Sequence, residues 1–215
     1  MASQLILPLE PNNAMTRADF IIAPGNARAL AFLDSFPDWP APAVALVGPS
    51  ASGKTHLTRI WAARAGAALL DARFLRDAVS GPAVVENIDS ACEGEGAFAY
   101  EAALFAMLEQ GAPLLLTGRS VPAAWPVSLP DLGSRFKALL SFELGASDEA
   151  LLMALAVKLF ADRQIVVPEG VVTHLVRTLE RSPAALRDFI QRADAVALAE
   201  KKPVNLQLIR GLMAN

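Results

Sequence analysis

An eight-residue segment at positions 48–55, GPSASGKT, fits the pattern G-x-x-x-x-G-K-[ST] at every fixed position. The five residues before the segment, 43–47 (AVALV), form a short apolar run that is typical of a buried parallel strand. After it, Leu57, Ile60 and Trp61 recur at the spacing of one helix face. A strand, a glycine-rich turn and a helix in that order are the setting in which this motif binds phosphate. We therefore predict a phosphate-binding loop in preference to a chance match within a Gly/Ser-rich turn.

The residue types of this segment suit a bound phosphate chain. Gly48 and Gly53 allow the backbone to turn its N–H groups toward phosphate oxygens. The helix that begins near Gly53 adds the partial positive charge of its N-terminus. We expect Lys54 to reach the β- and γ-phosphates and the hydroxyl of Thr55 to hold Mg²⁺.

The composition allows one α/β domain with a small second domain, because 53% of the 215 residues are hydrophobic. The net charge of −3 and the absence of any pure basic run longer than Lys201-Lys202 disfavour a surface that follows a nucleic-acid backbone. We therefore expect the protein to act on another protein or on its nucleotide alone. The single cysteine, Cys92, excludes an internal disulfide and a cysteine-based zinc site.

The sequence also bears on location. No apolar run approaches the roughly 20 residues that a membrane-spanning helix needs. The first residues do not combine a positive region with an apolar stretch, so we expect no secretory signal. Both observations favour a cytoplasmic protein without a membrane partner.

Strand and helix patterns alternate through the first two thirds of the chain, which predicts a five-stranded parallel sheet. The predicted strands are 43–47, 67–71, 83–85, 114–119 and 139–144. One predicted helix runs from the phosphate-binding loop to Gly66, and the others in this part of the chain are 27–36, 74–79, 98–110 and 129–135. After Gly145 the pattern changes to helices alone, at 149–163, 169–179, 184–200 and 204–212. We therefore predict a flexible N-terminal arm (1–13), an α/β nucleotide-binding domain (14–145) and a small all-α lid domain (146–215).

Several helix starts carry the residues that satisfy free N–H groups. Asn26 is predicted to cap the helix 27–36, and Ser147 the first helix of the lid. Ser182 and Pro183 give a cap followed by proline at the first helical position.

Polar residues at the ends of the predicted strands are candidates for work on the nucleotide. Glu86 could organise Mg²⁺, although Glu86 and Asp89 could also be ordinary loop acids. Asn87 occupies the next position, where an active ATPase needs an acid to polarise water, and an amide cannot accept that proton. Thr117 or Arg119 could sense the γ-phosphate. We therefore expect a nucleotide binder with poor hydrolysis of its own.

Two arginines stand out by position. Arg135 follows a short predicted helix, precedes the last predicted strand and could project from the domain edge toward a neighbour's nucleotide. Arg187 lies near the start of a lid helix, off its apolar face, and could reach phosphate from the lid. The alternative for both is a surface arginine in a weak ion pair.

The first residues include Gln4-Leu5-Ile6-Leu7-Pro8-Leu9. Proline forbids a helix through this segment, so we expect it to be extended. An apolar peptide at a free terminus either folds back onto its own domain or binds a partner.

These segments together resemble the AAA+ ATPases and, more closely, the bacterial replication initiator DnaA. The resemblance covers Phe20 to Leu212. It rests on Phe20 through Asn26, on the phosphate-binding loop extended by His56-Leu57, on 133–136 (GSRF) as an arginine-finger box, and on 185–191 as a second-sensor helix. The sequence departs from the family at Glu86, where aspartate is usual, and at Asn87, where active members carry an acid.

The resemblance implies ADP or ATP as cofactor, with Mg²⁺ held by Thr55 and Glu86. The nucleotide-binding residues that it implies are Ile22, Gly48, Ser50, Ser52, Gly53, Lys54, Thr55, His56 and Arg187. Arg135 becomes an arginine finger that acts in trans on the ATP of the initiator DnaA, which this chain would regulate negatively.

The N-terminal segment resembles the motif that docks on the sliding clamp of DNA polymerase III. Its partner-binding residues would be Gln4, Leu5, Leu7, Pro8 and Leu9. The sequence ends after the predicted lid helices, so we expect neither the initiator's DNA-binding domain nor direct sequence-specific DNA binding. A homodimer is possible.

Two other functions fit a phosphate-binding loop. A helicase loader or similar assembly factor would use its own ATP cycle and would not need the clamp motif. A small P-loop kinase would carry an arginine-rich lid over its acceptor and an acid aimed at that acceptor, and the sequence displays neither clearly.

Overall fold

The computed structural model describes residues 15–91 and 95–214. A five-stranded, wholly parallel sheet forms its first part, as the sequence predicts. The strands are β1 (Ala43–Val47), β2 (Ala68–Asp71), β3 (Ala83–Glu86), β4 (Leu114–Gly118) and β5 (Leu140–Glu143). Their order across the sheet is β2-β3-β4-β1-β5. The phosphate-binding loop follows β1, which lies between β4 and β5, so the ends of two neighbouring strands border it.

Helices cover the sheet and form the whole of the second part. The helices around the sheet are α1 (Ala27–Asp34), α2 (Lys54–Ala65), α3 (Glu95–Gln110) and α4 (Pro130–Ala138), with short 3₁₀ turns at Ile88–Ser90 and Pro122–Ala124. The helices of the lid are α5 (Glu149–Asp162), α6 (Glu169–Thr178), α7 (Pro183–Glu200) and α8 (Leu206–Ala214). Among the described residues, no helix has both the length and the apolar character to cross a bilayer.

The core follows from strands that are apolar on both faces. In β1, Ala45 and Val47 belong to one buried cluster, whereas Val44 and Leu46 belong to the cluster on the opposite face. Helices must therefore cover both sides of the sheet, as in other parallel sheets. Trp61 of α2, which is almost fully buried, fills one of these faces. A third cluster, built from α5 to α8, forms the separate core of the lid.

The helix predicted at 74–79 is wrong, because this stretch is irregular and follows a turn at 72–74. The carboxylate of Asp71 accepts the backbone N–H of Arg73 at 2.9 Å. This local bond competes with helix formation and favours a turn instead. Leu75 is buried beneath the turn, while Phe74 is exposed.

Two of the three predicted helix caps are also wrong. The side chain of Asn26 does not cap α1; it accepts the N–H of Ala23 at 2.9 Å and donates to the carbonyl of Ile21 at 3.0 Å. Asp148, one residue later than predicted, caps α5. The predicted cap of α7 is confirmed, with Ser182 accepting the N–H of Ala185.

The segment before α1 joins the two domains. Asp19 lies 3.0 Å from the ammonium of Lys158 on α5, and Ile21 packs against the core of the lid. Where the chain leaves the sheet for the lid, the N–H of Gly145 donates to the carbonyl of Gly25 at 3.3 Å. The segment thus fixes one side of the lid next to the phosphate-binding loop.

Candidate nucleotide-binding site

The backbone of the phosphate-binding loop requires glycine at both ends. Gly48 has a φ of +149°, and a Cβ there would lie 2.4 Å from the carbonyl oxygen of Leu144. Gly53 has a φ of +96° and occupies the cap position of α2. The loop therefore closes tightly at its start and leads directly into the positive end of the α2 dipole.

The ammonium group of Lys54 lies within the curve of this loop. It donates to the carbonyl oxygens of Gly48 and Pro49, both at 2.7 Å, and lies 3.3 Å from the hydroxyl of Ser52. Burial is the main cause that lowers the pKa of Lys54 from its ordinary value; the charge of Asp89 opposes this shift and the charge of Arg119 adds to it. No carboxylate of the described residues forms an ion pair with this ammonium. The loop carbonyls are neutral, so an anionic ligand would supply the negative charge that pairs with this ammonium.

The loop forms one wall of a cavity between the sheet domain and the lid. The segment before α1 supplies Met15, Asp19, Phe20, Ile21 and Asn26; the loop and α2 supply residues 50–56; the strand ends supply Asn87, Asp89, Gly118 and Arg119; and the lid side supplies Ser147, Leu151, Leu155, Pro183, Ala184 and Arg187. Cationic and apolar side chains both line this cavity. That combination suits a nucleotide, which has a charged phosphate chain and a flat apolar base.

Arg187 enters this cavity from the first turns of α7. Burial lowers the pKa of its guanidinium from the ordinary value. The guanidinium makes no hydrogen bond or ion pair with any other residue in 15–91 or 95–214. A partly desolvated cation without a partner suits a phosphate oxygen as its acceptor.

His56 is a neutral structural contact between α2 and the segment before α1. Its Nε2 lies 2.8 Å from the carbonyl oxygen of Thr16, which can only accept, so Nε2 carries the proton. Burial lowers the pKa of His56 from its ordinary value, which favours the neutral ring. Phe20 meets the ring edge-on, with the ring centroids 5.1 Å apart. His56 thereby holds the cavity wall in place.

The acids at the strand ends are arranged differently from the prediction. Glu86 does not line the cavity; its carboxylate accepts the hydroxyl of Thr58 at 2.8 Å. Asp89 lines the cavity instead, and its carboxylate accepts the N–H of Arg119 at 2.6 Å. Spacing favoured Glu86 because it ends β3, whereas the 3₁₀ turn that brings Asp89 back to the cavity has no clear sequence signal.

The residues present fit Mg²⁺ held mainly by a nucleotide. No group of three or more His, Cys, Asp or Glu side chains among the described residues could bind a metal alone. Mg²⁺ at a nucleotide usually takes phosphate oxygens, waters and only one or two protein ligands. Thr55 and Asp89, which both line the cavity, provide a hydroxyl and a carboxylate of that kind.

The side chain of Asn87 is engaged in a hydrogen bond and does not act as a base. Its amide Nδ2 donates to the carboxylate of Asp71 at 2.8 Å, and its backbone has a φ of +62°. The hydrogen bonds from Arg73 are the main cause that lowers the pKa of Asp71 to about 2, and the bond from Asn87 adds to it. At neutral pH the carboxylate is therefore charged and keeps the amide oriented.

The two candidate sensors are also separated by the structure. Thr117 is buried in β4, and its hydroxyl oxygen lies 3.4 Å from the N–H of Asn87. Arg119 lies one residue beyond β4 and lines the cavity. Arg119 is thus the one positioned to meet phosphate.

Most of the predicted nucleotide-binding residues lie around this single cavity, namely Ser50, Ser52, Gly53, Lys54, Thr55, His56 and Arg187. Gly48 lies at the base of the loop, behind the wall. Ile22 is not part of the wall and is 56% exposed, whereas its neighbour Ile21 lines the cavity. Arg135 lies elsewhere, on α4, and the predicted clamp-binding residues 4–9 lie outside the described residues.

The lid also contributes contacts that sequence patterns missed. Ser147 lines the cavity, and its hydroxyl donates to the carbonyl of Ala51 at 3.1 Å. This bond ties the start of the lid to the tip of the loop. A serine before an acidic first turn indicates a helix cap, and no local pattern reveals a partner 96 positions away.

The first prediction concerns the lysine. Lys54→Ala removes the only lysine side chain that lines the cavity in the described part of the chain. We expect ADP affinity, measured by calorimetry, to fall about a hundredfold or more, since a charge-assisted hydrogen bond to phosphate is lost. The fold should survive, because Lys54 bonds only to the loop. Lys202→Ala, which changes an exposed lid lysine paired with Glu200, is the control and should bind normally.

The second prediction concerns hydrolysis. We expect the unmodified protein to turn over ATP well below the ~1–10³ s⁻¹ of typical enzymes. Asn87→Asp alone should stay slow, because the new carboxylate would face Asp71 and one of the pair would take up a proton. Combining it with Asp71→Asn should raise turnover about tenfold or more. Steady-state phosphate release measures this, and equal rates for the single and double variants would contradict the role given to Asp71.

No protein-family model matches this sequence, and no curated protein matches it either. Solved structures do match. Domain III of the replication initiation protein DnaA from Thermotoga maritima matches with a TM-score of 0.77 and 17% identity, over 94% of this chain and 97% of that one.

Two further structures broaden the comparison. The RuvB Holliday junction branch migration motor from Thermotoga maritima matches with a TM-score of 0.70 and 16% identity, over 93% of this chain and 71% of that chain. AMPPCP-bound DnaA from Aquifex aeolicus matches with a TM-score of 0.65 and 14% identity, over 82% and 63% respectively. With its parallel sheet, phosphate-binding loop and helical lid, this chain has the fold of the AAA+ ATPase domain.

Proposed function

We propose that this protein is a nucleotide-bound AAA+ regulator of the Hda type, a regulatory inactivator of the initiator DnaA. It binds ADP, or ATP, with Mg²⁺ in its own cavity. It supplies Arg135 to the ATP held by DnaA and stimulates hydrolysis of that ATP. Replication initiation in the cytoplasm is thereby restrained.

The position of Arg135 is the observation that carries this proposal. Leu132 and Phe136 of α4 are buried in the core of the sheet domain, whereas Arg135, which flanks their face of the helix, is 42% exposed. Arg135 does not line the cavity of its own chain. A guanidinium fixed on the outer face of a rigid helix is suited to stabilise charge on a phosphoryl group held by another subunit.

The chain's own cavity supports binding without turnover. Lys54, Arg119 and Arg187 surround the phosphate end, so a nucleotide finds cationic partners. Asn87 offers no base for an attacking water, and its amide is already bonded to Asp71. A site of this kind keeps a nucleotide as a structural ligand, and the catalytic contribution is made to the partner.

The fold comparison supports the kind of partner. DnaA domain III matches this chain over nearly its whole length. A role in trans requires that the two chains pack with α4 of this chain toward the phosphate-binding loop of the partner. A DnaA molecule is a natural neighbour for a chain with the DnaA fold.

The clamp contact rests on sequence alone. Gln4 would enter a polar pocket on the sliding clamp of DNA polymerase III, and Leu5, Leu7 and Leu9 would supply apolar anchors, with Pro8 keeping the peptide extended. Docking on a clamp would concentrate the regulator at replicating DNA without a DNA-binding surface of its own.

The third prediction concerns Arg135 as the proposed arginine finger. Arg135→Ala should fold, bind ADP and bind the clamp like the unmodified protein, because Arg135 does not line the cavity and is not part of the predicted clamp-binding segment. It should fail to stimulate hydrolysis of labelled ATP bound to DnaA, in the presence of clamp loaded on DNA. The matched control is Arg181→Ala, which removes an exposed arginine from the lid.

Each result of that assay has a clear meaning. Undiminished stimulation by the Arg135 variant would refute its role as the finger. Absence of stimulation by the unmodified protein would remove the regulator proposal, and rapid partner-dependent hydrolysis by this chain itself would favour the loader function.

The fourth prediction concerns the proposed clamp-binding segment at the N-terminus. Burial of one leucine side chain contributes about 1.5–3 kcal/mol. Replacing Leu5 and Leu7 together by alanine should therefore weaken clamp binding about a hundredfold or more. Surface-immobilised clamp and purified variants measure this, with Ala2→Gly as the control. Full binding after removal of Met1 through Glu10 would contradict the proposal.

A further inference from the structure

Three residues of α3 lie on one stripe of the helix and all contact α4 or the chain that leads into it. Glu101, Phe105 and Glu109 follow each other at intervals of four, which places them on the same face. We call these residues the α3 stripe.

Glu101 anchors the start of α4. It is only 4% exposed, and its two carboxylate oxygens accept the N–H groups of Ser128 and Leu129, both at 2.7 Å. Leu129 is the cap residue of α4 and has no side-chain acceptor of its own. The carboxylate thus satisfies the N–H of the cap residue itself, as the glutamate of a capping box does, and places negative charge near the positive end of the α4 dipole.

Phe105 and Glu109 act one and two turns further along, on Arg135 itself. The guanidinium carbon of Arg135 lies 5.0 Å from the centroid of the Phe105 ring. Its Nη2 bonds to the carboxylate of Glu109, with 42% of the arginine side chain and 52% of the glutamate side chain exposed. Nε and Nη1 make no hydrogen bond to a residue within the described ranges.

This arrangement leaves Arg135 with one face stacked, one nitrogen held and its remaining donors directed to solvent. A long arginine side chain otherwise samples many rotamers, most of which would miss a phosphate oxygen. Rigid supporting contacts reduce that search and fix the fork of donors in one direction.

We propose that the α3 stripe positions Arg135 for its work in trans, and that Glu101, Phe105 and Glu109 are positioning residues for stimulation. The inference rests on the proposed function, since it assigns to these residues the aim of the same arginine. The stripe sets how fast the engaged partner hydrolyses ATP, whereas other surfaces set how tightly the partner is held.

The test measures DnaA-bound ATP hydrolysis at increasing concentrations of this protein, with clamp loaded on DNA. The variant combines Phe105→Leu with Glu109→Gln, which keeps approximate size and removes the stacking ring and the charge. We expect the maximal stimulated rate to fall about tenfold, because small misplacements of a catalytic group have effects of this order or larger. The concentration for half-maximal stimulation should stay unchanged.

Conservative and control variants separate positioning from general damage. Phe105→Trp keeps an aromatic face and should retain most of the rate. Glu180→Gln, an equivalent change at an exposed glutamate of the lid, should have no effect. Glu101→Gln should also lower the maximal rate, with thermal unfolding measured in parallel because this carboxylate is buried.

Including Arg135→Ala in the same assay separates two outcomes: a wrong positioning role for the α3 stripe, and a wrong proposed function. Loss of stimulation in Arg135→Ala, together with an unchanged or increased maximal rate in the double variant, would overturn the positioning role. Full stimulation by Arg135→Ala would instead overturn the proposed function.

Discussion

The close approach of Gly48 to the carbonyl of Leu144 is the constraint on which the rest of the site depends. At this point the N–H of Gly48 donates to Gly118 and the N–H of Leu144 donates to Val47, so the ends of β4, β1 and β5 meet. Any side chain at Gly48 would have to displace backbone. The loop must therefore turn immediately, and the lid, which starts two residues after Leu144, begins beside the same loop. One close contact therefore constrains both the phosphate-binding loop and the start of the lid.

Two arginines, Arg187 and Arg135, lie in different surroundings. Arg187 faces inward, partly desolvated, toward the cavity that Lys54 also lines. Arg135 faces outward from α4 and is held by residues of α3. In the proposed function, the cavity retains a nucleotide and Arg135 acts on the nucleotide of a partner. The bond between Asn87 and Asp71 fits this division, since it occupies the position from which water would be activated.

Patterns within a few residues predicted much of this architecture. The apolar strands, the loop between 48 and 55 and the four lid helices all have local signals, and each lies where the sequence indicates. The errors arise where a side chain bonds to backbone or to a distant partner. Asp71 replaces the predicted helix by a turn, and Asn26 stabilises the chain before α1 instead of its first turn. The choice of Ile21 over Ile22 for the cavity depends on which side of an irregular segment faces inward, and no periodicity reveals that.

The segment before α1 has a mechanical consequence. It touches α2 through Thr16 and His56, and it touches the lid through Asp19 and Lys158. The same short segment therefore bonds to α2 at one point and to the lid helix α5 at another. The segment thus works as a brace, because loss of either bond would leave the cavity wall that carries Phe20 and Ile21 attached on one side only.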